Sequence, residues 1–354
     1  MKAARFYGAK DIRVEEIDPP GEPGPGEVLI APSWCGICGT DLHEYIAGPI
    51  VTPAHPHPLT AARLPQVLGH EYSGTVVAVG PDVTHVKEGD RIAGMPLISC
   101  MHCYHCVRGD QHLCQTMACT GLSYQWGALA DLAMVPGYQL SVLPDDLTMQ
   151  QGALLEPAAV AVYAVERGRV HAGDTVLIAG LGPIGALAAM AARALGAGQV
   201  LAVEPNENRA SRAGHFGVDK VLAADDGLTE SILKLTGGIG ADATIECSGT
   251  EAGLNVCVDA VRAKGVVVQA GLHTGRASVD PMAWCLKDLT IEATWAYPTH
   301  VWPRVARLVA TGRLPVERVV TSEIGVDDVV KDGFDRLVDP NGTETKVLVS
   351  PIVS

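Results

Sequence analysis

Four cysteines that lie close together have the residue type and spacing of a metal site: Cys100, Cys103, Cys106 and Cys114. Four thiolates complete the tetrahedral coordination of Zn²⁺ and leave no open position, so such a site supports structure rather than catalysis. Disulfide bonds are the alternative use of these thiols. The first residues lack the apolar core of a secretory signal, so we expect a cytoplasmic, reducing location, in which clustered cysteines favour zinc. Three histidines of the same segment are then not needed as ligands, and we expect them at the surface: His102, His105 and His112.

A second, open metal site is indicated by two shorter segments. One runs from Trp34 to His43 and contains Cys38, and the other is Gly69-His70-Glu71. Three protein ligands with water in the fourth position are typical of catalytic zinc, and thiolate, imidazole and carboxylate are all zinc ligands. Each segment also has a simpler interpretation. Cys35 and Cys38 then form a redox C-x-x-C pair, and His70 is a hydrogen-bonded core histidine.

A glycine-rich loop between a predicted strand and a predicted helix indicates a dinucleotide site. The loop is Gly180-Leu181-Gly182-Pro183-Ile184-Gly185, which fits the pattern G-x-G-x-x-G. The strand is predicted over 175–179 and the helix to about residue 195, and a second predicted strand ends in Glu204, 19 residues after Gly185. In such a unit the glycines let the backbone approach the pyrophosphate at the helix N-terminus, and the acidic residue binds the adenosine ribose. The alternative is an ordinary tight turn.

The residues at the end of that second strand bear on the choice between NAD and NADP. The carboxylate of Glu204 accepts hydrogen bonds from free ribose hydroxyls and repels the extra phosphate of NADP, which favours NAD. Arg209 follows closely in the sequence, and it either stacks on the adenine or attracts a phosphate.

The elements that position these residues divide into two kinds. A chain of 354 residues is longer than one ordinary core requires, which predicts two domains. Up to residue 156, short β-branched runs between turns indicate a β-rich domain, whereas 157–293 alternates apolar strands with alanine-rich helices, the pattern of a parallel sheet. After residue 293 the pattern is mixed, with a helix-like run at 301–311 and a strand at 346–349. We therefore expect one domain from 1–156 and 294–354, and a nucleotide-binding domain at 157–293.

Charge and hydropathy argue against several kinds of partner. The net charge of −14 disfavours nucleic acid and anionic membrane surfaces, because both attract positively charged proteins. The most apolar stretch, 175–203, is interrupted by several glycines and contains Arg193, whereas a membrane-spanning helix needs about 20 uninterrupted apolar residues. We expect this stretch to form a buried strand, a helix and a second strand, and we expect no membrane partner.

These segments, in this order, resemble the zinc-dependent medium-chain dehydrogenase/reductase family, which includes the alcohol dehydrogenases. The residues that carry the resemblance are 38–43, 69–71, the four clustered cysteines and 180–185. Three further segments are most similar to the 2,3-butanediol and sorbitol dehydrogenase branch: 41–50, 57–71 and 152–157. The resemblance implies an α/β protein with a β-rich, GroES-like catalytic domain and a Rossmann-type, doubly wound nucleotide-binding domain. It also implies a catalytic zinc, a structural zinc and NAD as cofactors.

The resemblance implies a role for each residue of the open site. Cys38 and His70 bind the catalytic zinc, and Glu71 is either a ligand or a carboxylate that exchanges with one. Glu156 stands where many alcohol dehydrogenases have a second cysteine ligand, and it reaches the zinc directly or through water. A carboxylate in place of a thiolate makes the site harder and suits a second substrate oxygen. Cys35 matches no ligand position, and we expect it to be a buried thiol.

The implied reaction is the NAD-dependent oxidation of a small secondary alcohol or vicinal diol, such as 2,3-butanediol, to the ketone. Thr40 accepts the hydrogen bond of the substrate hydroxyl and passes the proton through the nicotinamide ribose toward His43, since imidazoles exchange protons near neutrality. The long segment 49–66 favours the butanediol subgroup over longer polyols. A sorbitol-like or broad secondary-alcohol dehydrogenase is one alternative, and a non-catalytic NAD-sensing protein is another. We expect a homodimer or homotetramer.

Overall fold

The computed structural model describes residues 1–225 and 227–351, and the chain divides into two compact units. The first unit contains Met1–Glu156 and the residues from Val320 onward, and the second contains Pro157–Val319. The strands, in chain order, are β1 Lys2–Gly8, β2 Asp11–Glu16, β3 Glu27–Gly36, β4 Gln66–Val67, β5 Glu71–Val79, β6 Arg91–Gly94, β7 Leu97–Ile98, β8 Ala118–Cys119, β9 Ala133–Pro136, β10 Leu140–Val142, β11 Thr175–Ala179, β12 Gln199–Val203, β13 Lys220–Leu222, β14 Ala241–Glu246, β15 Val261–Gln269, β16 Thr290–Ala293, β17 Val320–Gly325 and β18 Lys346–Ser350.

The helices are shorter and fewer in the first unit than in the second. The α-helices are α1 Gly39–Ala47, α2 Met149–Ala153, α3 Leu155–Arg167, α4 Pro183–Ala194, α5 Glu207–Ser211, α6 Leu228–Leu235, α7 Glu251–Ala260, α8 Pro281–Leu286, α9 Trp302–Ala310 and α10 Asp335–Leu337. Short 3-10 helices lie at Cys106–Arg108, Gln111–Leu113, Gly137–Gln139, Ala213–Phe216, Thr299–Val301, Val316–Val319 and Val326–Asp328, and a π-helix lies at Val329–Phe334. Among the described residues, none of these helices has the length and apolar character that crossing a membrane requires.

The first unit is built on a sheet with the strand order β10-β6-β5-β3-β18-β17, and β9 also pairs with β3. Residues of β3 alternate between buried and half-buried up to Pro32, as expected for a strand with one face on a core. A register shift between Pro32 and Trp34 ends the alternation, and Cys35 and Gly36 are both buried. β18 pairs antiparallel with β3 and parallel with β17, so the last described strand of the chain lies beside an early one.

The second unit is a parallel sheet with the order β13-β12-β11-β14-β15-β16. Numbered within the unit, this order is 3-2-1-4-5-6, that of the Rossmann fold. Four successive residues of β11 are buried, because helices cover both faces of such a sheet. The predicted α/β fold class is therefore confirmed. The predicted strand at 175–179 matches β11, and the strand that we expected to end in Glu204 ends one residue earlier.

Residues 294–319, which we expected in the first domain, group with the second unit instead. Arg304 of α9 forms an ion pair with Glu166 of α3. Arg318 donates a hydrogen bond of 3.0 Å to the carbonyl of His215, and Arg212 donates one of 2.9 Å to the carbonyl of Arg318. These tertiary contacts hold residues 294–319 to the second unit. The mixed sequence pattern after residue 293 does not reveal them.

Candidate functional site

The four clustered cysteines lie in a lobe between β7 and β8, on and beside two 3-10 helices, Cys106–Arg108 and Gln111–Leu113. Their sulfur atoms all lie within 4.8 Å of one another. The Sγ atoms of Cys103 and Cys106 are 3.5 Å apart and those of Cys100 and Cys106 are 3.9 Å apart, well beyond the ~2.05 Å of a disulfide. All ten cysteines of the chain are free. The geometry fits a site for a single metal ion rather than disulfide bonds.

The backbone of this lobe is arranged for thiolates. Hydrogen bonding to the backbone, chiefly at Cys106, lowers the pKa of Cys103 to about 6, whereas burial raises the pKa of Cys106 to about 12. Four thiols this close together, two of them buried, need a cation before all four ionise, which fits Zn²⁺. His102 is exposed as expected and His105 is half-buried, but the expectation is wrong for His112, which is buried in the second 3-10 helix.

Cys38, His70 and Glu71 form a second group whose ligand atoms all lie within 4.8 Å of one another. The sheet brings them together. β3 ends at Gly36 just before Cys38, β5 begins at Glu71, and Gly36 and Glu71 are directly paired across the two strands. A β-carbon at Gly36 would overlap the carboxylate of Glu71, so this position requires glycine.

Asp41 connects the two ligand segments and was not anticipated from the sequence. Its Oδ2 accepts a hydrogen bond of 2.9 Å from the amide of Cys38, and its Oδ1 lies 3.4 Å from Nδ1 of His70. A carboxylate on one ring nitrogen of a histidine is the usual support for a metal on the other, which leaves Nε2 as the ligand atom. The signal in the sequence was an acidic residue three positions after Cys38, in the first turn of α1.

The charges of this group are matched to a cation. Nδ1 of His70 and Oδ1 of Asp41 are both buried and lie 3.4 Å from each other, so Asp41 faces the ring nitrogen that is not assigned to the metal. Burial would lower the pKa of His70, but the negative charges of Asp41 and Cys38 raise it well above its ordinary value. Excess negative charge around thiolate, imidazole and carboxylate donors fits a bound Zn²⁺.

Lys346 is a second residue that the sequence did not point to. Its ammonium group lies 2.8 and 2.7 Å from the two carboxylate oxygens of Glu71 and 2.9 Å from the carbonyl oxygen of Ile37. Lys346 is 1% exposed and Glu71 is fully buried. Burial would lower the pKa of Lys346, but Glu71 and Cys38 raise it above the ordinary value, so the lysine is charged.

Glu156 is buried at the start of α3, but it does not belong to the group of three ligand atoms. Its negative charge contributes to the raised pKa of Lys346, behind the larger effects of burial and Glu71. Glu156 therefore lies in the electrostatic environment of the group, although it is outside the set of three ligand atoms. Cys35 is fully buried, as expected, and burial raises its pKa well above the ordinary value.

Thr40 and His43 lie three positions apart on α1, so their side chains share one face of that helix. Oγ1 of Thr40 is 3.9 Å from Sγ of Cys38, and both Thr40 and His43 are half-buried. A hydroxyl beside the ligand group and a partly exposed imidazole one turn further along are positioned to carry a proton toward solvent.

The glycine-rich loop joins β11 to α4 in the geometry that a dinucleotide requires. Gly180 has φ = +91°, and a β-carbon there would come within 3.0 Å of Ser248. A β-carbon at Gly185 would overlap the carbonyl of Gly180, whereas one at Gly182 would meet nothing within 4 Å. Gly182 caps α4 and Pro183 occupies its first turn, followed by Ile184, so the loop ends at a helix N-terminus, the part of a helix that binds phosphate groups.

Glu204 and Arg209 lie beyond the end of β12. Glu204 accepts hydrogen bonds of 2.7 Å from the amide of Leu181 and 2.8 Å from the amide of Asn206. The carboxylate is thus fixed against the glycine-rich loop, and each oxygen keeps a lone pair for a ligand hydroxyl. Nε of Arg209 is buried and has no hydrogen-bond partner among the described residues, which suits a ligand acceptor beside it.

Glu246, the last residue of β14, organises the same edge of the sheet and was also missed. It is fully buried and accepts hydrogen bonds from the amides of Ser248 and Gly249, from the Ser248 hydroxyl, and at 2.7 Å from Nε2 of Gln269. Nε2 of His273 lies 3.6 Å from its second oxygen. One carboxylate thereby joins the loops after β14 and β15, next to Gly180.

Comparisons with known proteins identify the family of this chain. Residues 24–145 match the model of the alcohol dehydrogenase GroES-like domain, and residues 183–311 match that of the zinc-binding dehydrogenases. The chain is 37% identical to (R,R)-butanediol dehydrogenase of Bacillus subtilis, covering 99% of this chain and 100% of that protein. It is 32% identical to a protein of Neosartorya fischeri named "Probable D-xylulose reductase A", covering 96% and 94% of the two chains. The crystal structure of 2R,3R-butanediol dehydrogenase from Bacillus subtilis superposes with a TM-score of 0.92, at 36% identity and 99% coverage of both chains.

Proposed function

Because this chain belongs to the zinc-dependent alcohol dehydrogenases of the medium-chain dehydrogenase/reductase family, we propose that it interconverts a small vicinal diol and its α-hydroxyketone with NAD. 2,3-Butanediol and acetoin are the substrates we favour. The observation that carries the proposal is the group of Cys38, His70 and Glu71 beside the hydroxyl of Thr40. A protein that only senses NAD does not require a set of metal ligands beside a side chain that can accept a proton.

We assign the two metal roles by the number of protein ligands. The four cysteines of the lobe would hold a structural zinc with a closed coordination sphere. Cys38 and His70 would hold the catalytic zinc, with Glu71 beside it and Glu156 nearby as a carboxylate within reach directly or through water. When bound, zinc supplies Lewis acidity to the substrate hydroxyl, and NAD accepts the hydride.

The residues of the chain perform three tasks in this scheme. Asp41 orients the ring of His70 through Nδ1. Oγ1 of Thr40 accepts the hydrogen bond of the substrate hydroxyl, and as it takes that proton it releases its own toward the imidazole of His43, three residues along α1, from which a proton leaves to solvent. A carboxylate at Glu156, where many alcohol dehydrogenases have a thiolate, makes the site harder and favours a substrate with two oxygen atoms.

The proposed cofactor is NAD, and the site for it is the carboxyl edge of the parallel sheet. The amides at the start of α4 would face the pyrophosphate, and the carboxylate of Glu204 would accept hydrogen bonds from the adenosine ribose. Arg209, with its buried Nε, would contact the adenosine end. A homodimer or homotetramer in the cytoplasm remains our prediction, and light scattering and cell fractionation test it.

The test is a steady-state screen of NADH formation with 2,3-butanediol, sorbitol, xylitol and 2-butanol, and of NADH consumption with acetoin. We expect the highest kcat/KM for butanediol and acetoin. Cys38→Ser should remove turnover, and Cys35→Ser is the matched control, because Cys35 is a neighbouring thiol outside the ligand group.

Two results would contradict the proposal. A higher kcat/KM for sorbitol or xylitol would make the protein a polyol dehydrogenase, which the resemblance to the Neosartorya protein supports as the second candidate. NADH binding without turnover of any alcohol would indicate a sensor of NAD.

A further inference from the structure

Lys346 is a fully buried lysine with a complete set of partners. An ammonium group has three donors, and Nζ of Lys346 lies within hydrogen-bond distance of three acceptors, namely the two oxygens of Glu71 and the carbonyl oxygen of Ile37. Both side chains are almost completely shielded from water, at 1% and 0% exposure. Charges buried to this degree persist only when they are paired and hydrogen-bonded.

The three acceptors belong to the two segments that carry the metal ligands. Ile37 precedes Cys38, and Glu71 follows His70. Lys346 comes from β18, which pairs with β3 so that Leu348 stands opposite Gly36. One ammonium group from the end of the chain therefore connects both ligand segments through three hydrogen bonds.

The same ammonium group balances a local excess of negative charge. Cys38 and Glu71 lie in the ligand group, Asp41 lies 3.4 Å from His70, and Glu156 is buried in the same environment. Removing a metal from such a site leaves these groups facing one another in a medium that screens poorly. A fixed positive charge nearby reduces that cost.

We propose that Lys346 is a positioning residue that serves as a resident cation and keeps the ligand group assembled when zinc is absent. The inference rests on the proposed function, because it takes this group as the catalytic zinc site. It predicts that the metal-free protein keeps Glu71 paired. Without Lys346, zinc becomes the cation that compensates Glu71, so the stability of the variant depends more strongly on the metal.

The experiment compares the melting temperatures of the zinc-loaded and catalytic-zinc-free forms of the wild type and of Lys346→Met. Mild chelation should remove the open-site zinc first, and metal analysis should then show the zinc of the cysteine lobe retained as an internal reference. We expect the difference between the two Tm values to widen by about 5 °C or more in Lys346→Met, since breaking a buried pair is strongly destabilising. Lys2→Met is the matched control, because the ion pair of Lys2 with Asp327 lies in the same unit but is exposed, and it should leave the difference unchanged.

A double variant separates charge compensation from packing. Lys346→Met with Glu71→Gln removes both charges, so its difference in Tm should be no wider than that of the wild type. If Lys346→Met folds only with zinc, the inference is supported in its strongest form. An equal or smaller difference in Lys346→Met, or a double variant that fails to fold with zinc present, would overturn it. A wild type that binds no zinc beyond that of the cysteine lobe would instead refute the proposed function.

Discussion

Replacing Glu246 by glutamine should weaken both the second unit and its affinity for NADH. The carboxylate is fully buried and accepts every hydrogen bond that reaches it, from Ser248 and Gly249 on one side and from Gln269 on the other. A glutamine amide has one acceptor oxygen and one NH₂ group. Whichever way the amide turns, its NH₂ group faces donors that it cannot satisfy.

The magnitude follows from that count. Leaving a buried donor without an acceptor costs about 1–3 kcal/mol. For a unit of this size, about 2–4 °C of Tm corresponds to each kcal/mol, so we expect a fall of about 2–12 °C. The substitution should also weaken NADH binding. Glu246 holds the loop that contains Ser248, and Ser248 packs against Gly180 of the glycine-rich loop. If about half of the cost of 1–3 kcal/mol goes into restoring the loops during binding, Kd for NADH rises by about 2- to 12-fold.

Differential scanning fluorimetry gives Tm, and quenching of protein fluorescence by NADH gives Kd without any need for turnover. Glu251→Gln is the matched control. Glu251 lies in the same unit and also accepts a hydrogen bond from a backbone amide, that of Ser278 at 2.8 Å, but its side chain is exposed. It should change neither quantity appreciably. An E246Q protein with the Tm and the NADH affinity of the wild type would refute the reasoning.

The remaining predictions concern the metals, the proton and the cofactor. Wild-type protein should contain about two zinc ions per chain, and Cys103→Ser should lose about one of them together with stability, as measured by metal analysis and Tm. His70→Ala should keep NADH binding but fall below about a tenth of wild-type turnover, and a larger residual rate would remove the metal from catalysis. His43→Gln should slow alcohol oxidation by about 10²-fold or less, most at low pH where hydroxide cannot take the proton, and an unchanged pH–rate profile would exclude the relay. Glu204→Ala should reduce a preference for NAD of about 10²-fold or more, measured as the ratio of kcat/KM values, and a wild type that prefers NADP would contradict that role.

The sequence predicted those parts of the molecule whose residues are near one another in the chain. The four cysteines of the lobe and the loop from Gly180 to Gly185 are short local patterns, and the structure brings the members of each together. Strands such as β11 were predictable because a buried parallel strand is a continuous apolar run. The return of the chain to its first domain was foreseen, but its position at Val320 rather than 294 depends on tertiary contacts of Arg304 and Arg318.

The residues that the sequence did not reveal share one physical property. Asp41, Lys346 and Glu246 are buried ionisable groups that act by holding other residues, and none of them belongs to a short sequence motif that names its partner. The ion-pair partner of Lys346 is Glu71, which is 275 residues away in the sequence. No periodic sequence pattern predicts a pairing over that distance. Burying a charge is unfavourable unless its partners are in place, so a sequence keeps such a residue only because of the folded structure around it. The residues that bind the metal can therefore be read from motifs, whereas the residues that hold those ligands in position become visible only when the strands β3, β5 and β18 are seen side by side.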